Sequence, residues 1–125
     1  MARILIAEDE ETLAALCARA LAIDGHEVKT ACDGSDALDA LERDGGAFDL
    51  LLTDIRMPIM DGIALALTAA RDFPDLTILM MTGYADQRER AHGLDAIIYD
   101  VIAKPFSVAA LRATVTEALT VRGRN

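Results

Sequence analysis

Leu50-Leu51-Leu52-Thr53-Asp54 is an apolar run that ends on an acid. Two more runs of this kind are Ile4-Leu5-Ile6-Ala7, followed by Glu8 and Asp9, and Ile78-Leu79-Met80-Met81, followed by Thr82. Short continuous apolar runs fit strands covered on both faces, as in a parallel sheet. Glu27-Val28-Lys29-Thr30-Ala31 alternates more and suits a strand nearer an edge. Val101-Ile102-Ala103, followed by Lys104 and Pro105, completes the set.

Helix-period segments lie between the runs. Leu13, Leu16, Cys17 and Ala20 share one helical face. Ala37, Leu38 and Leu41 form a second stripe, and Ile63, Ala66, Leu67 and Ala70 a third. Val108, Leu111, Val115, Ala118 and Leu119 form the last, with Ser107 as its expected N-cap. Asp86 to His92 has almost no apolar stripe, and Gly93 marks its stop. Strand followed by helix, repeated along the chain, predicts an α/β fold built on a doubly wound parallel sheet.

The chain has 125 residues, one domain's worth, and 53% of them are apolar, enough for one core. No apolar run approaches the roughly 18 residues that a membrane span needs. The start, Met1-Ala2-Arg3-Ile4, lacks the features of a signal peptide, so a cytoplasmic location without membrane attachment is expected. Basic residues number 12 against 21 acidic ones, for a net charge of −9. Such a chain repels nucleic-acid phosphates, and direct DNA binding is not expected. Cys17 and Cys32 have neither metal-site spacing nor a disulfide framework, and Cys17 reads as a small core hydrophobe.

In an open α/β sheet, ligands bind beyond the carboxyl ends of the strands, near the topological switch point. The residues that follow the runs are therefore the candidates: Glu8 and Asp9, Asp54, Thr82 and Lys104. Singly, each has an ordinary explanation. Acids suit a helix start, a strand-end hydroxyl can serve the backbone, and a lone lysine is usually a solvated surface charge. Together they put polar groups at one edge from separate strands, which points to a site. Converging carboxylates raise one another's pKa unless a cation intervenes. A hard divalent ion with oxygen ligands, Mg2+ by preference, meets that need, and Lys104 adds a fixed positive charge. Asp54 is then the expected nucleophile. A phosphoryl group on it would find Mg2+ and Lys104 at its oxygens, and phosphoryl transfer needs mainly such positioning and charge stabilisation. Thr82 can donate its hydroxyl to a phosphoryl oxygen.

These residues resemble the receiver domains of two-component response regulators. The resemblance rests on Glu8-Asp9, on Thr53-Asp54-Ile55-Arg56-Met57-Pro58-Ile59-Met60-Asp61-Gly62, on Met81-Thr82-Gly83 and on Lys104-Pro105-Phe106, and it covers essentially the whole chain. It implies a flavodoxin-like (βα)5 fold with strand order 2-1-3-4-5, a receiver domain over residues 1–121 and a short tail over 122–125. It implies Asp54 as phosphoacceptor, Thr82 as switch hydroxyl and Lys104 as the family's lysine. It implies Mg2+ as cofactor, held by Glu8, Asp9, Asp54 and the backbone carbonyl of Arg56. A cis Lys104–Pro105 bond is implied as well, with Pro58 and Gly62 shaping the loop after Asp54. The chain departs from the family at Val101, where an aromatic residue often stands. It departs again at Asp95-Ala96-Ile97-Ile98-Tyr99-Asp100, which replaces a usual Gly-Ala.

The implied function is that of a single-domain response regulator. It would accept a phosphoryl group from a histidine kinase or histidine phosphotransfer protein and then change its protein-binding face. It would not be an enzyme beyond Mg2+-dependent self-phosphorylation and autodephosphorylation. The expected target face lies around the helix at Asp86–His92 and the last helix. It includes Ile97-Ile98-Tyr99, taken as exposed if the last strand begins at Asp100. Arg56 and Tyr84, two residues past Asp54 and Thr82, would shield the phosphoryl group from water. Thr-Gly-aromatic together with Val101 resembles receivers of protease-adaptor or cell-cycle control. One alternative is a phosphate shuttle in a phosphorelay. Another, an aspartate-nucleophile phosphatase-like hydrolase, is disfavoured. Such enzymes need a second acid two residues after the nucleophile, where this chain has Arg56. The cognate kinase, the target and the oligomeric state are not legible in the sequence.

Overall fold

Parallel pairing of the apolar runs sets the architecture. The computed structural model describes residues 2–44, 47–83 and 93–123. Its elements are β1 (Arg3–Ala7), α1 (Glu11–Ile23), β2 (Glu27–Ala31), α2 (Gly34–Arg43), β3 (Leu50–Asp54), α3 (Gly62–Asp72), β4 (Thr77–Thr82), β5 (Asp100–Ala103) and α4 (Val108–Gly123). The helix expected over Asp86–His92, and Tyr84, lie outside the described residues. All strand pairs are parallel, and the five-stranded sheet has the order β2-β1-β3-β4-β5. This is the doubly wound, flavodoxin-like order expected.

The side-chain alternation of the strands divides the core into two layers. Leu5, Ala7, Leu51, Ile78 and Met80 face one side, where Ala37, Ala40 and Leu41 of α2 and Leu65, Ala66 and Ala69 of α3 cover them. Ile4, Ile6, Leu50, Leu52, Leu79, Met81 and Ile102 face the other side, against Cys17 and Leu21 of α1 and Leu111, Val115 and Ala118 of α4. All five residues of β3 are buried, as a central strand's continuous apolar run requires. At the edge, β2 exposes Glu27, Lys29 and Thr30, a polar rim that discourages pairing with other chains. Arg112 of α4 donates from Nε to Asp24 at 3.0 Å and so ties α4 to the end of α1. The hydrogen-bonded guanidinium holds the Asp24 carboxyl below its ordinary range.

Two helices are turned relative to the stripes expected from sequence. In α1, Leu16 is exposed while Ala14, Cys17, Ala20 and Leu21 are buried. In α3, Leu67 is exposed while Leu65, Ala66 and Ala69 are buried. Alanines and leucines run around much of both helices, so periodicity alone does not choose the buried face. Ser107 does cap α4, its Oγ accepting from the N–H of Ala110 at 3.0 Å.

Ile97-Ile98-Tyr99 lies in the connection before β5, and of the exposed patch expected Tyr99 is exposed, whereas Ile97 is half-buried and Ile98 buried. Ile98 is 7% exposed and joins the core layer of α2 and α3, and Ile97 packs against the same layer. The backbone draws the segment inward. The Ile98 N–H donates to the carbonyl of Leu94 at 3.0 Å, and the Tyr99 N–H donates to the carbonyl of Ile78 at 2.7 Å, extending the pairing along β4. Val101 packs against this layer too.

Candidate functional site

Register brings the acids together. Ala7 pairs with Thr53, so the next residues, Glu8 and Asp54, stand side by side at the carboxyl edge of the two central strands. The Glu8 N–H donates to the carbonyl of Ala31 at 3.0 Å, which anchors the start of the β1–α1 connection against β2. Glu8 and Asp54 are both buried, whereas Asp9 is exposed. Carboxylate oxygens of Glu8, Asp9 and Asp54 all lie within 4.8 Å of one another.

Lys104 reaches this cluster from the end of β5. Its Nζ lies 2.7 Å from Glu8 Oε1 and 3.0 Å from Asp54 Oδ2. Burial by itself disfavours the ammonium, but hydrogen bonds to Glu8 and Asp54 and their charges outweigh it. The net effect raises the lysine's pKa. Asp9, although exposed, is also pushed up, first by partial desolvation of its carboxyl and then by its hydrogen bond to Glu8. The other oxygen of Asp54, Oδ1, accepts from the Ile55 N–H at 2.9 Å, a donor that also reaches the carbonyl of Met81 at 3.2 Å. A backbone donor and a side-chain cation thus hold the two Asp54 oxygens.

Thr82 ends β4 and is buried. Its carbonyl accepts from the Lys104 N–H at 2.7 Å, so the hydroxyl-bearing and lysine-bearing segments are tied by their backbones. The Lys104–Pro105 peptide is cis. Arg56 lies in the β3–α3 loop and is exposed. Beyond Asp54 and Lys104 opens a groove of about 530 Å3, with Leu13, Leu16, Phe106 and Val108 on its walls. The structure therefore joins Glu8, Asp9, Asp54 and Lys104 directly and sets Thr82 and Arg56 on the flanking segments.

Two glycines hold the site in shape. A Cβ on Gly62 would lie 1.9 Å from the carbonyl oxygen of Asp54, and one on Gly34 would lie 2.2 Å from the carbonyl oxygen of Met60. Nothing in the sequence around Gly34 signals this contact, because it joins segments far apart in the chain. The Ile55 N–H was equally invisible, since every residue but proline has one.

Lys104→Met is expected to lower stability by about 2 kcal/mol at neutral pH, because removing the cation leaves Glu8 and Asp54 buried without compensation. Urea denaturation checks this. Adding Glu8→Gln should return much of the loss, and an unchanged midpoint in Lys104→Met would show that the acids do not depend on the lysine.

Comparison with known proteins places this geometry. The family model for the response regulator receiver domain matches residues 4–116. The transcriptional regulatory protein TcrA of Mycobacterium tuberculosis is 38% identical over 121 residues, 97% of this chain and 47% of TcrA. The chain thus spans about half the length of that relative. Among solved structures, a CheY-like response regulator receiver domain protein from Methanospirillum hungatei superposes with a TM-score of 0.91 at 29% identity. That match covers 99% of this chain and 98% of the other. The response regulator TrrA of Thermotoga maritima, solved in complex with Mg(2+)-BeF, superposes with a TM-score of 0.83 at 28% identity, covering 94% of this chain and 99% of that one.

Proposed function

Since this chain belongs to the response regulator receiver domain family, we propose that it accepts a phosphoryl group on Asp54 from a histidine kinase or histidine phosphotransfer protein. The observation that carries the reading is the placement of Lys104 between two buried carboxylates, 3.0 Å from Asp54 Oδ2 and 2.7 Å from Glu8 Oε1. A lysine so held can follow negative charge from the carboxylate to an incoming phosphoryl oxygen.

In the proposed step, an Asp54 oxygen attacks phosphorus, forming the O–P bond as the N–P bond of the donor's phosphoimidazole breaks. The bonding pair returns to the imidazole nitrogen. The Ile55 N–H holds Oδ1, leaving Oδ2 as the attacking oxygen once Lys104 shifts to the phosphoryl group. Thr82 donates its hydroxyl to another phosphoryl oxygen and thereby senses the product. Glu8, Asp9, Asp54 and the Arg56 carbonyl would hold Mg2+. The close set of hard carboxylate oxygens fits such an ion. When bound, Mg2+ supplies positive charge that offsets the acids and the phosphoryl oxygens. TrrA, similar in fold, was solved with Mg(2+)-BeF, which supports the same chemistry here. The groove lined by Leu13, Leu16 and Phe106 gives a histidine-bearing partner a route to Asp54.

Arg56 is exposed beside the site and would slow hydrolysis by obstructing in-line water. The output reading is a protein target, of the protease-adaptor or cell-cycle kind, engaged through the face around the Asp86–His92 segment and α4. No described helix is long and apolar enough to cross a membrane.

The test is labelling with acetyl phosphate, with and without Mg2+, followed by peptide mapping. Label on the peptide holding Asp54, requiring Mg2+, is the expected result. Label elsewhere, or label independent of a divalent ion, would overturn the site or the role given to Glu8 and Asp9.

A further inference from the structure

The loop between β3 and α3 carries the Arg56 carbonyl, and its shape is held in an unusual way. At its base, the Gly62 N–H donates to the carbonyl of Ile55 at 2.7 Å. At its tip, the Met60 N–H donates to the carbonyl of Pro58 at 2.8 Å, closing a three-residue turn. Ile59, at the centre of that turn, has φ +69°. A β-branched residue is a true outlier in the left-handed region, and a γ-turn with positive φ is rare and strained. Such a backbone persists only where its surroundings over-determine it.

The Ile59 side chain is 85% exposed, so its packing does not hold the turn. The hold comes from the next peptide. The carbonyl of Met60 accepts from the Gly34 N–H at 3.1 Å. Gly34 is the first residue of α2, where an N–H has no partner within the helix. Asp33 fixes that first turn by accepting from the Asp36 N–H at 2.8 Å. Gly34 is buried, and a Cβ there would meet the Met60 carbonyl oxygen at 2.2 Å and its carbonyl carbon at 2.9 Å. Only glycine allows this approach without a shift of one backbone segment.

We infer that Gly34, on α2, is a positioning residue for the phosphoacceptor site: through the Met60 carbonyl it clamps the loop that presents the Arg56 carbonyl beside Asp54. The inference rests on the reading of that carbonyl as a cation ligand. Gly34 touches neither cation nor phosphoryl group. It acts on both by holding the loop against α2.

The experiment is calorimetric titration of the full chain with MgCl2, well below the melting temperature of every variant. Gly34→Ala is expected to bind Mg2+ about tenfold more weakly than wild type, the usual size for loss of an outer support. Leu21→Ala, a core truncation on the face of α1 and α4, serves as the control for stability alone and should bind as wild type does. Asp33→Ala, which frees the first turn of α2, should also weaken binding, and Asp33→Asn should restore it, because asparagine caps a helix as well as aspartate. Wild-type Mg2+ affinity in folded Gly34→Ala overturns the inference. Should that variant fail to fold, equal affinities for Asp33→Ala and Asp33→Asn overturn it instead. Absence of Mg2+ binding by wild type overturns the reading of the site and this inference with it. Mg2+ binding by wild type with unaltered variants overturns this inference alone.

Discussion

Asp54→Asn is expected to reduce phosphoryl labelling to background, a loss of at least about 100-fold, and at the same time to make the protein more stable. The first effect follows from the nucleophile. An amide oxygen carries no negative charge, and attack through it would leave a cationic imidate ester, so it is a far poorer nucleophile towards phosphorus than a carboxylate. Neither neighbour can substitute. The Glu8 side chain is 1% exposed and already bound by Lys104, and Asp9 lies at the exposed side of the cluster without an ion pair to Lys104 among the described contacts. The second effect follows from charge. Wild type packs three carboxylates against one ammonium, and like charges held this close destabilise the fold. Removing one leaves the Glu8–Lys104 pair in place and relieves the excess. A gain of about 1 kcal/mol, or roughly 4 °C in melting temperature for a chain of this size, is expected without divalent ions. Mg2+ should raise the melting temperature of wild type and raise that of Asp54→Asn less, because a ligand stabilises by its affinity for the folded state. Thermal melts in chelator and in MgCl2 read both numbers. A lower melting temperature for Asp54→Asn in chelator would show that the acids are not in mutual repulsion.

Gly62→Ala is the second large effect, and it acts through the backbone. Its added methyl would sit 1.9 Å from the carbonyl oxygen of Asp54, 2.8 Å from the carbonyl carbon and 3.0 Å from Cα of Ile55. None of these atoms belongs to a flexible side chain that can step aside. Either the start of α3 moves out or the end of β3 moves in, and β3 is buried along its whole length. The hydrogen bond from the Gly62 N–H to Ile55 is lost with either movement. A destabilisation of about 3 kcal/mol or more is expected, the range for overpacking a rigid interior. Denaturant unfolding measures it, and the same sample should label poorly even where it stays folded, since Asp54 is displaced. A loss below about 1 kcal/mol would mean that α3 yields easily at its first turn.

The strands and the placement of the candidate site residues were legible for the same reason. A strand buried on both faces must be apolar throughout, so Leu50-Leu51-Leu52 and Ile78-Leu79-Met80-Met81 stand out, and whatever polar residue follows marks the carboxyl edge. Glu8 and Thr82 follow such runs directly and Asp54 comes one residue later, while Lys104 follows the shorter and more exposed β5. Helix orientation was less legible. Leu16 and Leu67 carry large apolar side chains yet face solvent, because α1 and α3 have enough alanine and leucine elsewhere to satisfy the core. Ile98 showed the opposite failure, since a backbone bond from Tyr99 to Ile78 pulls it into the core where the sequence suggested a surface contact. Gly34 was not legible at all, because its requirement comes from the Met60 carbonyl, which reaches it only in the folded chain.

The long reach of Lys104 has a consequence for synthesis. Asp54 and its lysine are 50 residues apart in sequence, and Glu8 and that same lysine are 96 apart. A ribosome adding about 5–20 residues per second needs roughly 3–10 s to travel from Asp54 to Lys104. Throughout that interval the nascent chain carries its acids without the cation that pairs with them. The centre of the sheet therefore has an electrostatic reason to stay open while the chain is being made. A phosphodonor of the proposed kind would find no completed edge until the lysine has emerged and folded back. On the proposed function, competence to receive a phosphoryl group would arrive late in translation, with the residue that completes the charge balance.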